Sequence, residues 1–143
     1  MKWNRKKVLS AFIAVIMVMA GMEVSAEAPK GEPVTKKIVQ TAGRDVLGKI
    51  APDFARCNDD ILFGEIWNKQ DVLSVKQRCL ITVISLVSQG ITDSSLKYHI
   101  QNAKNNGVTL EEIADTLTQV AFYAGWPKAW AAFRLVKEVY EVP

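Results

Sequence analysis

The chain has little from which to build a metal centre. Its 143 residues hold one histidine, His99, and two cysteines, Cys57 and Cys79. Two cysteines 22 residues apart with a single histidine do not reach the four ligands of a structural zinc site, so no metal is expected. Long apolar runs are also scarce. The longest, Val8–Met22, is interrupted by Ser10 and Gly21 and spans 15 residues, short of the roughly 20 that cross a bilayer. No Asn-Gly or Asp-Gly pair joins two alternating apolar–polar runs, which argues against hairpins and a sheet.

The short apolar run has a different explanation. It follows Met1-Lys2-Trp3-Asn4-Arg5-Lys6-Lys7, with four basic residues and no acid, and precedes Val24-Ser25-Ala26. A basic head, an apolar centre and a small-residue end form the layout of a secretory signal peptide. Residues 1–26 are therefore expected to be a leader cleaved after Ala26, and the mature protein to be exported, periplasmic or secreted. The competing reading is an uncleaved anchor helix that leaves the same domain outside the membrane. No cysteine follows the run, so lipid modification of the N-terminus is not expected, nor is stable membrane insertion after cleavage.

Excess charge of one sign is missing too, once the leader is set aside. The chain carries 18 basic and 15 acidic residues; the leader holds four and one of these, leaving 14 of each. A neutral domain without a basic stripe gives no electrostatic case for a nucleic-acid partner. The 117 residues that remain suffice for one domain with one core. In an oxidising compartment Cys57 and Cys79 could pair, but spacing alone does not bring two Cα atoms within bridging distance. The alternative is that Cys79 is a small core residue of an apolar helix.

What is present reads as helix. Residues 27–33, with two prolines and a glycine, form a flexible linker, and 34–143 the domain. From Val34 the pattern is helical to about Arg56, weakened by Gly43 and Gly48 and bent or broken at Pro52. Asp59 or Asp60 is placed to cap a short helix carrying Ile61, Leu62, Ile66 and Trp67, with Asn68–Asp71 as a connection. Ser74 and Gln77 form a capping-box pattern before a helix that is apolar on nearly every side and stops at Gly90, the mark of a buried element. A helix from about Asp93 to Asn105 sets Leu96, His99, Ile100 and Ala103 on one face. Thr109 and Glu112 start another helix, whose Leu110, Ile113, Ala114, Leu117, Val120, Ala121 and Ala124 keep i, i+3, i+4, i+7 spacing. Gly125 stops it and Pro127 opens a last helix to about Glu141. The expected fold is all-α, a compact bundle of five to six helices.

Three side chains stand out as chemistry. His99 is alone in the chain and falls on an apolar helix face, where a half-buried imidazole can move a proton near neutral pH; the competing reading is a core histidine satisfied by one hydrogen bond. Glu65 lies in Phe63-Gly64-Glu65-Ile66-Trp67, among apolar groups that would make it a usable acid, unless it is a plain surface glutamate. Arg78 can bury its stem and offer its guanidinium to a substrate carboxylate, or form an internal salt bridge. Trp67, Tyr123 and Trp126 can wall a pocket with flat rings, or only pack.

From about Arg44 to Val139 the chain resembles the carboxymuconolactone decarboxylase family, which shares its fold with alkylhydroperoxidase D. The matching pieces keep their order: Gly64-Glu65-Ile66-Trp67, Arg78-Cys79-Leu80-Ile81-Thr82, His99, Asn106-Gly107-Val108-Thr109 with Glu112-Ile113, and Tyr123-Ala124-Gly125-Trp126-Pro127-Lys128-Ala129. The resemblance implies an alkylhydroperoxidase D-like all-α fold that self-associates into a trimer or hexamer, with sites near subunit interfaces. It also implies cofactor-free decarboxylation, or related proton-transfer chemistry, on a small carboxylated lactone. His99 would be proton donor, Glu65 its partner or a second acid, and Arg78 the carboxylate binder. The family's peroxidase branch uses Cys-x-x-Cys-x-x-x-His; counting back from His99, those positions hold Thr92 and Ser95, which cannot form a disulfide. Cys79 stands where decarboxylase-like members often carry serine. The alternatives are an alkylhydroperoxidase-like oxidoreductase lacking the cysteine pair and a non-catalytic oligomeric binding protein.

Overall fold

Local start and stop chemistry sets the four long helices. Ser74, in extended conformation, accepts the backbone N–H of Gln77, whose side chain in return accepts the N–H of Ser74 at 2.8 Å. Thr109 and Glu112 repeat this reciprocal cap. Each pair satisfies two of the donors that a helix N-terminus leaves free. Asp93 caps a third helix by accepting from the Ser95 N–H at 2.9 Å. Gly90 ends its helix at φ +83°, a left-handed conformation costly for residues with a Cβ. Gly125, at φ +104°, separates the last two helices, and Pro127 falls in the first turn of the second.

The computed structural model describes residues 37–143. The leader, the linker 27–33 and the first three residues of the expected domain, Val34–Lys36, lie outside the described residues. Among those described, every regular element is helical: α1 (Ala42–Leu47), α2 (Pro52–Arg56), a π-helical run (Cys57–Ile66), α3 (Val75–Gln89), α4 (Ser94–Asn105), α5 (Leu110–Ala124) and α6 (Trp126–Val139). None of these helices is long and apolar enough to cross a membrane.

Helices α3 to α6 pack on one another around a single core. Val83 and Val87 of α3, Leu96 and Ile100 of α4, and Ile113 and Leu117 of α5 are fully buried, and α6 adds Ala132 and Val136. Burial of each large aliphatic group contributes about 1.5–3 kcal/mol. Trp67 belongs to the same core, with Ile38 and Phe63 packed against it, which joins the N-terminal part of the domain to the bundle.

The structure corrects the sequence reading in three places. Within the described part of the helix expected from Val34 to Arg56, residues 37–41 are not helical and two short helices follow, broken before Pro52 as expected. The two glycines lower helix propensity, and Pro52 begins α2 within its first turn. Asp59 and Asp60 cap no helix of their own, because α2 runs directly into the π-helical run. There the hydrogen bonds reach five residues back, as in Trp67 N–H to Leu62 O at 2.9 Å. Helix α3 is not buried all round: Cys79, Val83 and Val87 face the core, while Ile81 is 48% exposed. On α6, Ala129 and Ala132 are buried within the chain's own core, while Trp126 and Trp130 are exposed.

Asp59 has a different role from capping its own helix. It is buried and accepts the backbone N–H groups of Gly43 and Arg44, both at 2.9 Å, and the Arg44 guanidinium at 3.3 Å. A carboxylate from the π-helical run thus satisfies free donors at the start of α1. Burial alone would raise its pKa. The hydrogen bonds from Asn58, Arg44 and Gly43, with the Arg44 charge, outweigh burial and hold it below its ordinary value.

Candidate functional site

A helix brings residues three, four and seven apart onto one face. On α4 this aligns His99, Asn102 and Asn106 beside the buried Leu96–Ile100–Ala103 stripe. The three polar side chains line a cleft of about 180 Å³. Phe63 and Trp67, one π-helical turn apart with rings 5.3 Å between centroids, form a second wall. Val75, at the start of α3, and Ile38 and Gln40, from the extended segment before α1, complete it with Tyr98. No charged side chain lines it unless His99 is protonated.

The amides are oriented by one another. Asn106 donates to the Asn102 carbonyl oxygen at 2.8 Å and to its Oδ1 at 3.1 Å, while Asn102 Nδ2 points to Cys79 Sγ at 3.7 Å. His99 is half-buried, with Tyr98 edge-on at 5.2 Å, and its ring has no hydrogen-bond partner among the described residues. Its pKa is lowered because burial disfavours the imidazolium. An unengaged imidazole in a small cleft is free to exchange a proton or hydrogen bond with a ligand.

The other residues singled out from the sequence are distributed as follows. Trp67 lines the cleft with His99. Tyr123 lines another, of about 330 Å³, with Ile84, Ser88, Asp115, Thr116, Gln119 and Val120. Trp126 lines neither; it is 54% exposed and packs against Phe122 with ring centroids 5.4 Å apart. Glu65 is exposed on the π-helical run between Phe63 and Trp67. Arg78 turns toward the connection after that run, where Nη2 donates to Lys69 O at 2.9 Å. Its Nε is buried and has no hydrogen-bond partner. No hydrogen bond or ion pair links Glu65, Arg78 and His99 among the described residues.

Cys57 is exposed, Cys79 is buried, and both are free thiols. Burial pushes the Cys79 thiol up to about 11. Among the cleft residues that sequence reading missed, Asn102 and Asn106 carried a signal, their i+3 and i+7 spacing from His99. Ile38 and Gln40 carried none, because an extended segment far upstream has no periodic relation to α4.

The carboxymuconolactone decarboxylase family matches residues 52–138, from α2 through nearly all of α6. A 4-carboxymuconolactone decarboxylase from Acinetobacter baylyi is 28% identical over 121 residues, covering 85% of this chain and 84% of its own. An uncharacterized 15.0 kDa protein from the nqo9-nqo10 intergenic region of Paracoccus denitrificans is 28% identical over 95 residues, covering 66% of this chain and 70% of its own.

Proposed function

The chain belongs to the carboxymuconolactone decarboxylase family, and on that premise we propose that it is a cofactor-free lyase acting on a small carboxylated lactone, with His99 as its proton donor. The observation that carries this reading is the half-buried His99 ring, without a hydrogen-bond partner among the described residues and set in a cleft of about 180 Å³. In the reaction, the bond between the ring and the carboxylate breaks and carbon dioxide leaves. The electron pair moves into the ring toward the lactone carbonyl, where hydrogen-bond donors such as the cleft amides stabilise the developing oxyanion. A proton from the His99 imidazolium then closes the C–H bond, and a proton taken up from solvent restores the imidazolium.

Arg78 is assigned to the substrate carboxylate, and its orphaned Nε supports this, since a buried donor without a partner is uncommon. Glu65, between two cleft aromatics in sequence, is assigned as partner or second acid. Neither side chain lines the cleft in the single chain. We therefore tie their role to assembly into a trimer or hexamer, for which the exposed Phe122, Tyr123, Trp126 and Trp130 offer an aromatic surface. Export with cleavage after Ala26 belongs to the same reading, and intact mass of the protein from its host tests it.

The test of function is turnover of carboxylated lactones by the purified protein, read as carbon dioxide released. His99→Asn removes the titrating ring while keeping polarity, and the rate is expected to fall by roughly 10²–10⁴. A variant that keeps the wild-type rate refutes the assignment to His99. Protection of the wild type against unfolding by the lactone, with no carbon dioxide released, replaces the lyase with a binding protein.

A further inference from the structure

We propose that Asn68 is a positioning residue that latches the extended segment Lys37–Gln40 over the His99 cleft, and that this segment is a strap controlling access to the imidazole. The family match begins at residue 52, so the strap lies outside it. The inference does not depend on which ligand the cleft takes, or on whether that ligand is turned over.

The strap has the alternation of a strand that has only one buried side. Ile38 and Gln40 are partly buried and line the cleft, while Lys37 and Val39 point outward, Val39 being 75% exposed. A lone extended segment has no neighbouring strand to satisfy its backbone. Asn68 supplies that partner from a side chain: Oδ1 accepts the Ile38 N–H at 2.7 Å, and Nδ2 donates to Ile38 O at 2.9 Å. The same Nδ2 reaches Phe63 O at 2.9 Å and Gly64 O at 3.0 Å. One amide therefore ties the strap to the end of the π-helical run that carries Phe63 and Trp67, the opposite wall of the cleft.

The strap is held again at its far end. Gln40 Oε1 accepts from the N–H groups of Thr41 and Ala42, both at 3.0 Å, which fixes that side chain against the start of α1. Between the two anchors the segment cannot shift without breaking hydrogen bonds at Asn68 or at α1. Asn68 is the anchor that lies at a distance in the chain, 30 residues from Ile38, whereas Gln40 bonds to its own next two residues. Releasing Asn68 lets Ile38 swing away from His99 while α1 stays in place.

The single histidine makes the test direct. Diethyl pyrocarbonate acylates an accessible neutral imidazole, and the ultraviolet absorbance of the carbethoxy-imidazole follows the one histidine adduct, at His99, on the full chain. Asn68→Ala is expected to raise the modification rate about tenfold, the effect of losing two ordinary hydrogen bonds that favour the closed strap. Ile38→Pro removes the strap's own donor, one of the two bonds, and leaves the π-helical run untouched, and a smaller rise of about threefold is expected. The two changes combined should do no more than Asn68→Ala alone, since both open one latch. Val39→Ala, on the outward side, should leave the rate unchanged. Rates are compared where circular dichroism shows each variant folded; if Asn68→Ala does not fold, Ile38→Pro decides. Wild-type rates in the latch variants overturn the proposal. A rise in Asn68→Ala but not in Ile38→Pro overturns it too, placing the effect of Asn68 at the π-helical run. An equal rise in Val39→Ala overturns it as general loosening.

Discussion

Gly43 offers a sharp test of how the N-terminal part of the domain is held. A Cβ at this position would stand 2.6 Å from Asp59 Oδ1 and 2.9 Å from Ala55 O, well inside the 3.4 Å at which ordinary contact begins. Neither neighbour is a flexible tip. Ala55 O is backbone, and Asp59 is a buried carboxylate fixed by the N–H groups of Gly43 and Arg44. Gly43→Ala gains a little helix propensity, under about 1 kcal/mol. It forces α1 away from the π-helical run, and overpacking of this kind costs about 1–3 kcal/mol. The net expectation is destabilisation of about 1–2 kcal/mol, a fall in Tm of roughly 4–15 °C for a domain of this size. Thermal unfolding by circular dichroism measures it. Because Gln40 and α1 are joined, the variant should also expose His99 to chemical modification. An unchanged or higher Tm would mean that the approach of α1 to Asp59 is not fixed as described, and would refute the account of Asp59 as the carboxylate that closes α1.

Three further outcomes follow from the titrating groups. If His99 donates the proton as imidazolium, kcat/KM should fall as pH rises through the pKa of the free protein, which lies below the ordinary 6.5; a rate that climbs through that window would make His99 a base. The lowered His99 and Asp59 pKa values both mean that the unfolded chain binds protons more readily. Stability should therefore be full above pH 6.5 and fall below it as His99 charges, with a second loss below the ordinary carboxylate value of 3.8 as Asp59 protonates. Urea midpoints against pH read both steps; His99→Asn should remove the first and Asp59→Asn reduce the second, to which Glu112, also held below its ordinary value by Lys76 and Thr109, contributes, and a midpoint that holds steady in acid would contradict both. With Cys57 exposed and Cys79 buried, the native protein should take one iodoacetamide label and the unfolded protein two, counted by mass; two labels on the native protein would put Cys79 in reach of solvent.

The parts of the fold that were legible in sequence are those governed by chemistry within one turn. Ser74 with Gln77 and Thr109 with Glu112 mark helix starts because cap and partner lie three residues apart. The apolar spacing of α5 was legible for the same reason. The N-terminal region was not, because its stability is non-local. Asp59 looks like a helix cap when read against its own neighbours, yet its partners lie 15 and 16 residues upstream. Likewise, Asn68 reads as a loop residue, and only the fold shows that Ile38, 30 residues away, is its partner. His99 stood out because it is unique, and α4 periodicity extends it to Asn102 and Asn106. Ring type alone gave no means of separating Trp67, which lines the cleft, from Tyr123 and Trp126, which do not.

The choice between imidazole and thiol chemistry turns on magnitudes. A thiolate is the reactive form of cysteine. With its thiol pushed up to about 11, Cys79 would be ionised in only about one molecule in 10⁴ at pH 7, given that each unit of pKa is a factor of ten. It is also 2% exposed and lies behind Asn102, whose amide approaches the sulfur at 3.7 Å. An oxidant would have to displace that amide first, and no second thiol follows at the positions of Thr92 and Ser95 to resolve the product. Burial acts on His99 in the opposite sense, lowering the pKa of a group whose ordinary value lies near neutrality and favouring the neutral imidazole in the free protein. A substrate carboxylate placed beside the ring would raise that pKa again by its charge, so the donor form is favoured when the ligand is present. If that coupling operates, the pKa read from kcat should lie above the one read from kcat/KM, since the first reports the complex and the second the free protein. Equal values would mean that the carboxylate does not sit near His99, and the decarboxylation geometry would have to be drawn without it.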